Sequence, residues 1–128
     1  MITIELPWPH PALAPNRANG KHWAGLAAIK QKAKADAYVL AKAAGIGQGF
    51  DPVISRPLSI LFIAPDKRRR DLDGCHGSIK HYLDGIAAAL GIDDSQFRPV
   101  TLDYQKGQAP GKVIVSVGTF TAFGGLPA

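Results

Sequence analysis

The chain has 128 residues, 46% hydrophobic and 20% charged, which suits one globular domain and not a disordered chain. Fifteen Lys and Arg against ten Asp and Glu leave a formal charge of +5, a balance that favours nucleic acid or another acidic partner. One cysteine, Cys75, rules out a disulfide framework or a cysteine-rich zinc site.

From the N-terminus, ITIEL (2–6) alternates Ile2, Ile4 and Leu6 with Thr3 and Glu5, the period of a half-buried strand. Neither basic nor apolar regions of a secretory signal are present there, and no apolar run is long enough for a bilayer, so the cytosol is the expected compartment. Pro7, Pro9, Pro11 and Pro15 exclude regular structure until about Asn16. From His22 to Ala44, the residues Trp23, Leu26, Ala33, Ala37, Leu40 and Ala44 recur at helical steps and predict a long amphipathic helix. Lys30, Lys32 and Lys34 fall mostly off that stripe and read first as a solvated face. AGIGQGFDP (44–52) is expected to close the helix and connect it onward.

LSILFIA (58–64) is apolar at every position but one and predicts a strand covered on both sides. A second helix carries Ile79, Tyr82, Leu83, Ile86 and Leu90 on one face, with Asp73 or Ser78 as its cap and Gly91 as its stop. PVTLDYQ (99–105) and KVIVSVG (112–118) read as strands joined by a Gly/Pro turn, hence a hairpin. Residues 119–128 are expected to form an untethered tail. The predicted fold is α+β: a single domain with a mixed sheet and two main helices in β-α-β-α-β-β order.

Between the second strand and the second helix lies KRRRDLDG (67–74), four cations followed by two carboxylates spaced i, i+2. On extended backbone that spacing puts Asp71 and Asp73 on one side. A second acidic pair, Asp93–Asp94, follows Gly91. If residues 93–98 run back along the 58–64 strand, the pairs converge into an oxygen-rich site for Mg²⁺ or Mn²⁺, which also bind substrate phosphate. Two such ions could activate water and stabilise the leaving oxygen of an in-line displacement. The plainer alternatives are a surface Asp–Arg pair, a helix cap at Asp73 and a turn at 93–95.

RRRDLDG…IKHYLDGIAAALGIDDSQF (68–97) resembles the core motif of RusA-like Holliday junction resolvases, small endonucleases of phages and prophages. LPWPHPALAPN (6–16) is similar to the family's opening strand and proline-rich loop, and NRANGKHW (16–23) to an element of a phage subgroup. The resemblance implies metal binding by Asp71, Asp73 and Asp94, with Asp93 assisting, and a catalytic helical lysine at Lys80. It also implies a homodimer making paired nicks in a four-way DNA junction and leaving 5′-phosphates and 3′-hydroxyls. Two features depart from the family: Gly74 replaces the usual Asn, and the segment from Asp73 to Lys80 is longer by about one helical turn.

In that scheme Lys80 neutralises charge building on the scissile phosphate; otherwise it is an i, i+4 partner of Asp84. Lys67, Arg68, Arg69 and Arg70 would hold the DNA backbone, a contact that positions without reading sequence. Asn16 would contact the substrate or simply form a turn. His10, His22, His76 and His81 have no metal-ligand spacing, Cys75 has no placed base, and no nucleotide-binding glycine motif is present. The rivals are a non-catalytic DNA-binding protein that retains the fold and a phosphoesterase acting on a small substrate.

Overall fold

The alternation in ITIELP does produce strand β1 (Ile2–Pro7), with Ile4 and Leu6 buried and Thr3 and Glu5 exposed. This is seen in a computed structural model that describes residues 2–14, 25–45 and 56–118. Asn16, His22, Trp23, the 46–52 connection and the 119–128 tail lie outside the described residues. The other elements are α1 (Leu26–Ala43), β2 (Arg56–Ile63), α2 (Leu72–Ser78), α3 (Lys80–Leu90), β3 (Phe97–Gln105) and β4 (Lys112–Val117). One short 3-10 turn, Pro11–Leu13, interrupts the proline-rich stretch expected to be irregular. A 3-10 turn tolerates Pro11 because the first N–H of a helix is unbonded in any case.

The α+β class and the element order hold, with one change: the second helix is two helices. Ile79 leaves the helical conformation at φ −109°, ψ 14°, and the Ser78 hydroxyl donates to the Cys75 carbonyl at 2.6 Å. That local bond competes with the backbone ladder at the break. The predicted apolar face is intact, since Ile79, Tyr82, Leu83, Ile86 and Leu90 are all buried. Gly91, at φ 76°, ends α3 in the left-handed conformation that favours glycine.

The four strands form one mixed sheet in the order β1-β4-β2-β3. β4 lies between β1 and β2, antiparallel to both, while β3 pairs parallel with β2 on the outer edge. The expected β3–β4 hairpin is therefore absent, because the chain crosses over β2 before β4 enters the sheet. Val113, Val115 and Val117 are the reason: fully buried, they fit a central strand better than an edge. Among the described residues the helices cover one face only. Leu58, Ile60 and Phe62 are buried under them, whereas Ser59 is exposed and Leu61 and Ile63 are only half-buried. The prediction of a strand covered on both sides fails on that second face, where Thr3 and Ser116 meet at 3.3 Å.

The stripe on α1 also differs from the expected one. Ala33, Ala37 and Ala41 are buried, whereas Leu40 and Ala44 are exposed. Small residues point inward because α3 comes very close: a Cβ on Gly85 would lie 2.2 Å from the Lys34 carbonyl and 3.0 Å from the Ala37 Cβ. Larger side chains on α1 are pushed to the flanks of that contact.

Candidate phosphate-handling site

Chain leaving β2 enters the basic run, and the structure divides it into two parts. Arg70 turns inward. Its guanidinium binds both Asp66 oxygens, at 2.8 and 3.1 Å, and stacks 5.3 Å from the Trp8 ring centre. With its side chain only 13% exposed, Arg70 is committed to holding the loop. The Tyr104 hydroxyl donates to the Arg68 carbonyl at 3.1 Å, and the Arg68 amide donates to Asp66 at 2.9 Å. Lys67, Arg68 and Arg69 remain exposed on a turn whose backbone is fixed from both sides. Sequence reading missed the part played by Trp8 and Tyr104; an aromatic among prolines facing an Arg run was the available signal.

The Arg70 guanidinium and the Arg68 amide together hold Asp66 down to about 2. A carboxyl whose folded pKa is depressed adds stability above its unfolded pKa and loses it as pH falls through the folded value. The Asp66–Arg70 clasp should therefore survive to about pH 2. An NMR titration of the Asp66 carboxyl is expected to show that low midpoint, and Arg70→Gln is expected to raise it part of the way to the ordinary range, since the Arg68 amide still donates. An unchanged midpoint in the variant would remove Arg70 as the cause.

Asp71 and Asp73 do not share one extended side. Asp71 is extended, at φ −95° and ψ 154°, and caps α2, its Oδ1 accepting the Gly74 N–H at 2.7 Å. Asp73 lies inside the first turn of α2. The cap is thus Asp71, and neither Asp73 nor Ser78. A Cβ on Gly74 would sit 2.6 Å from Asp71 Oδ1, so a larger residue there would require the carboxylate to shift slightly. A pocket of about 280 Å³ opens beside the cap, lined by residues that include Trp8, His10, Arg68, Arg70 and Asp71.

The second acidic pair lies at the other end of the crossover. Residues 97–105, not 93–98, run along β2, with Phe97 opposite Arg56. Asp93 caps a 3-10 turn (Asp94–Gln96), accepting the Ser95 N–H at 3.0 Å in a capping box with Gln96. Its hydrogen bonds with Ser95 lower its pKa. Asp94 is half-buried and faces Lys80, whose ammonium lies 3.8 Å from Asp94 Oδ2 and 3.6 Å from Asp84 Oδ1. Lys80 is thereby held between α3 and the turn that leads into β3.

Asp71, Asp73 and Asp94 offer the oxygen donors that a hard cation takes. Among the described residues, however, no three His, Cys, Asp or Glu side chains group in a way that could hold a metal ion. Asp71 caps α2, whereas Asp94 opens the 3-10 turn that precedes β3. As they stand, these residues do not fit a three-carboxylate metal centre. Cys75 is buried, and burial raises its thiol pKa, so it is a poor nucleophile.

Among the described residues no helix is long and apolar enough to cross a membrane. No family profile matches the chain. Across 122 residues, 94% of its length, it is 34% identical to an uncharacterized protein of Xylella fastidiosa (strain Temecula1 / ATCC 700964), and the match spans 78% of that protein.

Proposed function

The chain belongs to one family with that Xylella fastidiosa protein, and we propose that it is a structure-selective DNA endonuclease of the RusA-like type, acting on four-way junctions with Mg²⁺ or Mn²⁺. The observation that carries this reading is Lys80. A helical lysine and an aspartate from a separate turn, both named by the motif, lie within 3.8 Å of each other. Two motif positions serving one phosphate would have to meet in this way.

The chain's own residues bind and position in this proposal. Lys67, Arg68 and Arg69 lie on a turn braced by the Asp66–Arg70 clasp and would grip backbone phosphates. Lys80 would offset charge on the scissile phosphate. The resemblance assigns the metal to Asp71, Asp73 and Asp94, but as they are placed they do not form one three-carboxylate site, so no step through an ion follows from their arrangement. That same arrangement favours a second reading, a non-catalytic DNA-binding protein that retains the fold. Two symmetric nicks in one junction would require a two-fold dimer.

Cleavage of a labelled four-way junction, with linear duplex and flap controls and with or without Mg²⁺, tests the proposal. Paired nicks that need metal and vanish in Asp73→Asn are expected. Junction binding without cleavage in Mg²⁺ or Mn²⁺ would establish the second reading. Neither binding nor cleavage would remove both.

A further inference from the structure

Sorting the cations by what neutralises them leaves an uneven surface on α1. Lys32 bonds Asp36 at 2.7 Å, and Lys42 lies 5.6 Å over the Tyr38 ring. Lys30 and Lys34 are exposed and make no ion pair or hydrogen bond among the described residues. In the sequence these lysines are equivalent. On the helix, Lys30 and Lys34 share one face a turn apart, while Lys32 points away.

Packing fixes where that face lies. Gly85 of α3 abuts the Lys34 carbonyl, and His81 stands one turn before Gly85. The α1 lysines therefore flank His81, with Lys80 beside it. His81 is half-buried with Asp84 3.9 Å away, the one carboxylate in ion-pair reach of it among the described residues. Its pKa is lowered, first by burial; Asp84 opposes the shift, while Lys30, Lys80 and Lys34 reinforce it. Positive charge thus exceeds negative along the α1–α3 seam.

We propose that Lys30 and Lys34, with Lys80 across the seam, form a second phosphate-contacting strip of the DNA interface, separate from the 67–69 turn. The inference rests on the DNA reading above. Lysine ammoniums are mobile point charges that keep their hydration and take phosphate without reading bases. The strip would lengthen the DNA footprint beyond the turn and lead the backbone toward Lys80.

The test is binding of four-way junction DNA in metal-free buffer across a salt series. It compares wild type with Lys30→Gln/Lys34→Gln and with a charge-matched control, Lys32→Gln/Lys42→Gln. Each lost phosphate contact lowers the slope of log K against log salt by roughly 0.9, so the first double variant should lose about 1.8. The control should lose much less. Equal losses in the two variants, or no loss in either, would overturn the strip while leaving DNA binding by wild type intact. Absence of wild-type binding would instead remove the DNA reading, and the strip with it. Circular dichroism should show unchanged helix content, since all four side chains are exposed.

Discussion

Gly85→Ala is expected to destabilise the chain by about 2–3 kcal/mol, lowering Tm by on the order of 10 °C. In an exposed helix the same change would stabilise by about 1 kcal/mol, because alanine is the better helix former. Here the new methyl would lie 2.2 Å from the Lys34 carbonyl, well inside van der Waals contact. A flexible side chain could move aside; a backbone carbonyl within an 18-residue helix cannot. The helices would have to separate, opening space around Ala37 and Ala41, which are fully buried. Adding Ala37→Gly should not rescue the variant, since the nearer obstacle is main chain. Thermal unfolding followed by circular dichroism would decide, and a Tm at or above wild type would refute the close-packing account.

Some of this was legible in local patterns. Ile2, Ile4 and Leu6 announced β1 because period 2 has one structural meaning over five residues. The Ile79–Leu90 face announced α3 for the same reason at period 3.6. Gly85 lies within that stretch and passes for a weak helix former until α1 is known to press on it. Strand order was illegible because it depends on partners far apart in sequence. The segment between 105 and 112 has the glycines and proline of a hairpin turn, yet β4 pairs with Ile2–Pro7 and Arg56–Ile63. Which helix cap is used was equally hidden, because Asp71, Asp73 and Ser78 are all good capping residues. The cap used is Asp71, the residue with extended backbone directly before the first helical turn, whose carboxylate accepts the Gly74 N–H. The acidic pairs were legible as residues and not as an arrangement, because Asp71 and Asp93 each serve as a local cap, a use that spacing alone does not reveal.

Lys80→Gln is expected to reduce junction cleavage by about 10²–10³-fold, with a much smaller loss of binding. The argument begins with what the lysine does not do for the fold. Its side chain is 64% exposed, and its two carboxylate contacts, at 3.6 and 3.8 Å, are long. Such surface pairs contribute roughly 0–1 kcal/mol, so the variant should unfold at nearly the wild-type temperature. A purely structural i, i+4 pair would predict the same small effect from Asp84→Asn as from Lys80→Gln, with no change in cleavage from either. A cation placed for the scissile phosphate predicts a split: loss of rate in Lys80→Gln, near-normal rate in Asp84→Asn, and partial recovery in Lys80→Arg. Measuring single-turnover rate and Kd separately for the three variants distinguishes these cases. Equal rates in wild type and Lys80→Gln would reduce Lys80 to a surface partner and leave the basic turn at 67–69 and the α1 lysines as the grounds for a DNA interface.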